Sequence, residues 1–377
     1  MRIVVVQPYV PAYRVPFFEQ LRLRLGELGI ELNVVHGRPG KRQAARGDEA
    51  SLEFATMTRS FEVEVLGRSI RWRHLRCHIR GSDLVVGELA SGALENYWIA
   101  LRPATRQALW GHGYATTSPP NRLDSFLERW LMRRADHLFL YTEHGRKVAE
   151  AAGIASGAMT VLNNTVDTAG ISTAMRRLTS ADVATFRMRH DLGGGPCCAF
   201  VGSVDKSKRV DFLLSAGSRL ATFVPGFRLV VAGDGAARDE IVEFARTSSW
   251  LRYVGRVGDD GKALIAETCS LLLNPGRVGL VAVDSFVMET PVVTTAWPRH
   301  APEFEYLIDG VNAVITSDNI DDYVAGVAGA LNNPAILHKL IGGCRESAAE
   351  FSIDAMVERF VTGVVSALAQ PRHTSGR

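Results

Sequence analysis

Short apolar runs alternate with longer amphipathic stretches along most of this 377-residue chain. Ile3–Val6, Glu31–His36, Asp83–Val86, Ala108–Gly111 and His137–Tyr141 have the apolar, β-branched content of buried strands. Between them the pattern predicts helices over Pro16–Leu28, Arg122–Arg134 and Gly145–Ala152; the first puts Phe17, Leu21, Leu25 and Leu28 on one face. Residues 163–181 break the rhythm with small and polar side chains, which predicts a linker. The alternation then restarts: strand Ala199–Val201, helix Val210–Leu220, strand Arg228–Ala232, helix Ala236–Ala245, strand Leu251–Gly255, helix Lys262–Glu267, strand Ser270–Leu273. A helix over Leu280–Glu289, a strand at Val292–Thr294 and helices near Ile320–Leu331, Pro334–Phe351 and Ile353–Ala369 complete the series. The polar tail from Gln370 is expected to fray.

Such alternation predicts a parallel sheet with helices on both faces. Two series imply an α/β chain of two Rossmann-like doubly wound domains, 1–165 and 182–352, with helix 353–370 free to pack back on the first. One large sheet is the alternative. Open sheets bind ligands beyond the carboxyl ends of their strands, so a site in a cleft between two facing domains is expected.

Composition narrows the class. With 46% hydrophobic and 22% charged residues the chain is globular. No apolar run approaches the ~18 residues of a membrane-spanning helix, and the start reads as a buried strand rather than a signal peptide. Cys77, Cys197, Cys198, Cys269 and Cys344 are scattered without a C-x-x-C pair, which suggests no zinc site or disulfide framework and fits a reducing, cytoplasmic setting. Residues 1–165 hold 22 Lys/Arg against 16 Asp/Glu, and the remainder 21 against 24. The excess concentrates in Arg68–Arg80, either a solvated edge or a contact for an anionic membrane surface. Nucleic acid is not expected, for the charge is small and no helix-turn-helix or stacking-sheet motif occurs.

Two clusters carry candidate chemistry. Asn274-Pro275-Gly276-Arg277-Val278-Gly279-Leu280 follows a buried strand and opens a helix, so its glycines allow close backbone approach and its amides face an anion. Arg277 adds a cation, and Asp284 sits among apolar neighbours where a carboxylate needs a partner or a ligand hydroxyl. Ser203-Val204-Asp205-Lys206-Ser207-Lys208-Arg209 is a basic loop after a strand, suited to a diphosphate or simply solvated. Gly233-Asp234-Gly235 gives only a partial dinucleotide signal, since the third glycine position is Arg238. No P-loop, Asp-x-Asp, H-E-x-x-H or G-x-S-x-G occurs.

With these residues in view, the chain resembles the retaining GT-B glycosyltransferases of family 4, also called group 1. The family's V-G-R-L-x-x-x-K-G-x-D-x-L-L-x-A appears as Val201 through Ala216. Its E-G-F-G-L-x-x-x-E-A-x-x-x-G-x-P-V is matched by Gly276–Leu280, Asp284-Ser285 and Pro291-Val292. Pro302-Glu303 and Asp309-Gly310-Val311-Asn312-Ala313 echo the next element, and Gly233 and Arg256-Val257 fall in family order. In the first domain the likeness is confined to Trp110-Gly111-His112-Gly113.

The resemblance implies a sugar transfer from a nucleotide-diphosphate sugar to an acceptor hydroxyl, with retention and without a metal or other cofactor. Lys208 then neutralises the donor diphosphate, Asp284 holds the ribose hydroxyls, Arg256-Val257 meet the base, and His112 stands near the transferred sugar. Tyr13 and Arg14 lie in the acceptor loop. The acceptor is a glycan, a lipid-linked glycan or a small molecule, in cell-envelope or glycoconjugate synthesis, at the inner face of the plasma membrane if Arg68–Arg80 engages it. Departures are Gly276 for the first glutamate, Ser203 for the phosphate-binding arginine, His300 for a glycine and Glu289 for a small residue; Lys206, Arg209 or Arg277 are the available substitutes for that arginine. The alternatives are a nucleotide-sugar 2-epimerase using His300, Glu303 and Glu305, and a degenerate, non-catalytic relative.

Overall fold

The structure, a computed structural model, describes residues 1–370 except 41–43, 45–46, 66–67, 103–104 and 115–121. Its chain divides into two compact units: Met1–Asp167 with the C-terminal helix Ile353–Ala369, and Thr168–Ser352.

The first unit is built on a parallel seven-stranded sheet of order β3-β2-β1-β6-β7-β8-β9. Its strands are β1 Arg2–Gln7, β2 Glu31–His36, β3 Ala55–Met57, β6 Leu84–Glu88, β7 Arg106–Gly111, β8 His137–Leu140 and β9 Met159–Val161, while β4 Ser60–Val65 and β5 Arg68–Arg73 form a separate antiparallel hairpin. The central strands are continuous apolar runs because helices cover both faces of the sheet. One face is packed by Phe17, Phe18, Leu21 and Leu25 of helix Val15–Glu27 and by Met356, Phe360 and Val364 of the C-terminal helix. Phe360 stacks on Phe139 with centroids 4.2 Å apart, so this helix is part of the first unit's core. Gln370 anchors its end on the Gly157 carbonyl; the rest of the tail lies outside the described residues.

The second unit carries a parallel six-stranded sheet, β12-β11-β10-β13-β14-β15, with β10 Cys197–Val201, β11 Arg228–Ala232, β12 Leu251–Gly255, β13 Leu271–Leu273, β14 Val292–Thr295 and β15 Ala313–Thr316. In order along the chain this is 3-2-1-4-5-6, the Rossmann order, and its strand direction of travel reverses between β10 and β13. The first sheet repeats that order and reverses between β1 and β6.

Two expectations need correction. The supposed linker 163–181 holds helix Ala169–Arg177 and the start of helix Ser180–Arg189, the latter opened by a Thr179/Asp182 capping box. Both belong to the second unit, where the first packs on helix Asp259–Thr268. The hairpin was also not predicted: five of its six β5 positions are only partly buried and two of the six residues of β4 are glutamates, so neither strand shows an apolar run.

Candidate functional site

In the second unit, the loops leaving β10 and β13 meet where the strand order reverses. After β10, Asp205 caps a short 3-10 turn, Lys206–Lys208, by accepting from the Ser207 N–H at 2.8 Å. After β13, the Arg277 N–H donates to the Ser207 carbonyl at 2.8 Å, and Lys208 Nζ donates to the Arg277 carbonyl. Gly276 is the seat for this crossing. A Cβ there would lie 2.4 Å from the Lys208 carbonyl carbon, so the residue standing in place of the family's first glutamate has no room for a side chain. Gly233, at φ +149°, has the same role one strand over, where a Cβ would come 1.8 Å from the Gly202 carbonyl oxygen.

Lys208 is the central cation. Burial pushes its pKa down to about 8, opposed by Asp205, assisted by Arg277 and opposed by Glu303. At neutral pH the ammonium is still mainly charged. It has no carboxylate bonded to it; its hydrogen bond runs to a backbone carbonyl.

The amides of the Gly276–Leu280 turn are divided. Arg277 is committed to Ser207, and the Val278 N–H donates to His300 Nδ1 at 3.1 Å. His300 Nε2 in turn donates to the Thr295 carbonyl at 2.8 Å, which fixes the neutral tautomer. Burial holds the His300 pKa below its ordinary value; the Thr295 bond and Asp318 oppose this, while Lys208 and Arg277 add to it. Among the described residues, the N–H groups of Gly276, Gly279 and Leu280 meet no protein acceptor and remain available to an anion. The expectation that the whole turn presents its amides is thus corrected to these three.

Asp284 does have a partner. Its carboxylate accepts from Lys262 Nζ at 2.7 Å, with both side chains largely buried. Arg209 is a correction: its guanidinium pairs with Asp318, bonds the Pro275 carbonyl at 3.3 Å and lies over Phe212. Its backbone is left-handed, at φ +53°. That leaves Lys206 and Arg277 as the accessible substitutes for the arginine replaced by exposed Ser203. Arg256 is exposed and reaches Asp234 at 3.4 Å, beside half-buried Val257. Asn274, at the end of β13, was not singled out from sequence. It is 2% exposed and neither carboxamide atom has a partner, which makes it a place for water or ligand atoms.

In the first unit His112 lines a cavity of about 180 Å³ with Glu88, Trp110, Tyr114, Glu128 and Tyr141. Its ring lies 4.5 Å from that of Tyr141, whose pKa burial pushes up to about 12. Burial also raises the Glu128 pKa, opposed by a backbone bond from Ser91 and helped by Asp124. Glu88 and Glu128 were missed from sequence because the first looks like an ordinary strand-end charge and the second like an ordinary mid-helix one. Tyr13 is 38% exposed, but Arg14 is 4% exposed, bonded to Asn164 and ringed by Tyr13, Phe17, Trp110 and Tyr141 within 5.8 Å. Arg14 therefore braces the strand ends and offers no open face to an acceptor.

The basic stretch is also corrected. Arg68 pairs with Asp124, Arg71 with Glu88, and Arg73 with Glu88 and Glu95. The hairpin arginines are neutralised within the unit, leaving Arg76 and Arg80 exposed. Among the described residues no helix is long and apolar enough to cross a membrane, and no group of three or more His, Cys, Asp or Glu is placed to hold a metal ion.

Residues 195–333 match the family described as glycosyl transferases group 1. Glycogen synthase of Mycobacterium tuberculosis is 25% identical over 229 residues, covering 58% of this chain and 51% of that protein. The chain thus spans about half the length of the curated relatives it matches. Among solved structures, HepE of Anabaena in complex with UDP is 13% identical with a TM-score of 0.69, covering 97% of this chain and 99% of that one. A glycosyltransferase from Rickettsia africae is 12% identical with a TM-score of 0.71, covering 98% and 99%. At these identities the structural likeness establishes the fold, that of GT-B glycosyltransferases.

Proposed function

Starting from a second unit that matches group 1 glycosyl transferases, we propose that this protein transfers a sugar from a nucleotide-diphosphate donor to an acceptor hydroxyl. One observation carries the reading. At the strand-order reversal of the second sheet, a half-buried lysine with no carboxylate bonded to it among the described residues meets a glycine turn with three unpartnered amides. That arrangement suits the charge that builds on a departing nucleotide diphosphate. Lys208 and the Gly279 and Leu280 amides would neutralise it, Arg277 would approach from the side, and Asp284 would exchange part of its bond to Lys262 for the ribose hydroxyls. UDP is the first donor nucleotide to try, because HepE binds it.

Three finer points belong to the same proposal. Transfer proceeds with retention, the acceptor attacking from the side of the leaving group and the diphosphate taking its proton. The cations of the chain provide the charge stabilisation, so activity survives chelation of divalent ions. The His112 cavity, with Glu88 and Glu128, holds the acceptor or transferred sugar, in synthesis of an envelope glycan or glycoconjugate. A standing contact with an anionic membrane surface is not part of the proposal, because the hairpin arginines are already paired.

The 2-epimerase alternative draws no support from His300, both of whose ring nitrogens are engaged. Incubation with UDP-glucose, with and without a glycan acceptor and with excess chelator, tests the reading. A glycoside of retained anomeric configuration is expected; a 2-epimer of the donor, formed without acceptor, would replace this function with the other.

A further inference from the structure

We propose that a second cavity in the first unit, bounded by Pro8, Gly37, Ser60, Glu62, Arg71 and Arg73, is a subsite for a neutral sugar unit of the acceptor. This inference rests on the transferase reading and deepens it by naming the acceptor class as a glycan of two or more units.

The cavity lies at the carboxyl ends of β1 and β2, beside the point where the first sheet reverses its strand order between β1 and β6. Pro8 follows β1 and Gly37 follows β2, while Glu88, behind the arginines, closes β6. Ligands of open α/β sheets gather at this point. The hairpin forms the opposite wall. Ser60 faces Arg73 and Glu62 faces Arg71 across the β4–β5 ladder, and the period of two puts all four on one side. The space is about 160 Å³. That is room for about five waters, the scale of one sugar ring.

Its donors lack acceptors. Arg73 is 2% exposed, yet Nη1 has no partner, and neither has Arg71 Nε. A buried guanidinium N–H left unpaired is unfavourable, and a bound oxygen relieves it. The remaining nitrogens are held in place: Arg73 Nε donates to Glu95 at 2.5 Å, and Arg71 and Arg73 both reach Glu88, at 3.3 and 3.4 Å. The free N–H groups are therefore fixed before a ligand arrives.

Charge selects the ligand. Glu88 and Glu95 already balance the two arginines, and Glu62 adds a further carboxylate to the wall, offset by Arg38 at the rim. A full anion gains no net field here and meets the Glu62 carboxylate on the wall. A hydroxyl matches both sides, accepting from Arg71 or Arg73 and donating to Glu62. Glu88, which Arg71 and Arg73 both reach, lines the His112 cavity, so these ion pairs stand between the two spaces, which suit successive units of one glycan.

Saturation-transfer NMR on the full chain with UDP present tests this. The probes are neutral disaccharides of glucose, galactose and mannose, their methyl monosaccharides, glucuronate and inorganic phosphate. The variants are Glu62→Gln, on the exposed hairpin, and Arg71→Lys, which removes the Nε donor. At least one neutral disaccharide is expected to bind the wild type and to weaken tenfold or more in each variant, with UDP affinity and melting temperature unchanged. Equal disaccharide binding by wild type and variants, or binding of phosphate and glucuronate alone, overturns the subsite. If UDP binds but no sugar does, the subsite falls and the transferase reading stands. If UDP, GDP and ADP all fail to bind, the transferase reading falls and takes the subsite with it.

Discussion

The two units repeat one strand order but treat the cations near their strand ends differently. In the first, Arg71 and Arg73 are balanced by Glu88 and Glu95. In the second, Lys208 is bonded to a backbone carbonyl, and burial lowers its pKa to about 8. The same fold thus offers a neutral, donor-rich cavity in one place and an under-compensated positive charge in the other. Only the second suits a diphosphate. The comparison teaches that a cation's value as a ligand group depends on what already neutralises it, which a count of Lys and Arg does not reveal.

The sharpest way to break this contrast is to remove the charge. Lys208→Ala should lower turnover by about 10²-fold or more, the scale of losing one transition-state donor; steady-state transfer assays check it, and wild-type turnover would remove Lys208 from the site. Gly276→Glu, which restores the family's carboxylate, should also be strongly damaging. Its side chain collides with the Lys208 backbone, so both melting temperature and UDP binding should fall. A stable Gly276→Glu protein with full binding would mean the crossing loops are not packed as described.

Smaller effects sharpen the account. Asp284→Asn should weaken donor binding by about tenfold, on the scale of a hydrogen bond to a charged group, and Lys262→Met should not mimic it if Asp284 meets the ribose. Equal losses in calorimetric titrations of the two variants would assign Asp284 to the Lys262 pair alone. His300→Asn keeps an acceptor near the Val278 N–H, whereas His300→Gln presents its amide at the Nε2 position. Asn should therefore retain donor affinity better than Gln. In the wild type His300 is held neutral by burial, so the unfolded chain takes up this proton first as pH falls. Its contribution to stability is full above the ordinary histidine pKa and declines below it. The decline should be shallower in His300→Asn, where only the part due to burial of His137 and His190 remains, as thermal melts from pH 8 to 5 would show. The smallest effect is expected from Arg76→Gln with Arg80→Gln, which should leave pelleting with anionic vesicles unchanged; a large salt-sensitive loss would restore the basic stretch as a membrane contact.

Much of the fold was legible because it is local. The runs Ile3–Val6 and Leu271–Leu273 are buried on both faces and read as strands without any knowledge of their neighbours. Helix Ala169–Arg177 was illegible because few of its positions are apolar and its burial comes from packing on a helix about ninety residues later. The hairpin hid behind its charges, whose partners lie elsewhere in the chain. The site divides in the same way. Lys208 and the Gly276–Leu280 turn were visible as short patterns, but the groups that set their chemistry were not. Lys262 is 22 residues from Asp284, His300 is 22 from Val278, and Asp318 is 109 from Arg209. Those pairings decide that Arg209 is occupied and that three amides remain open, and only the folded chain brings them together.

The most direct test is a calorimetric titration of UDP into the wild type and Lys208→Ala at pH 7 and pH 9.5. A bound diphosphate favours the charged ammonium, so wild-type affinity should fall as pH rises through about 8, with proton uptake on binding at the higher pH. Lys208→Ala should bind weakly at both. Equal affinity in the two proteins, unchanged by pH, would contradict the claim that this half-buried lysine receives the donor's diphosphate.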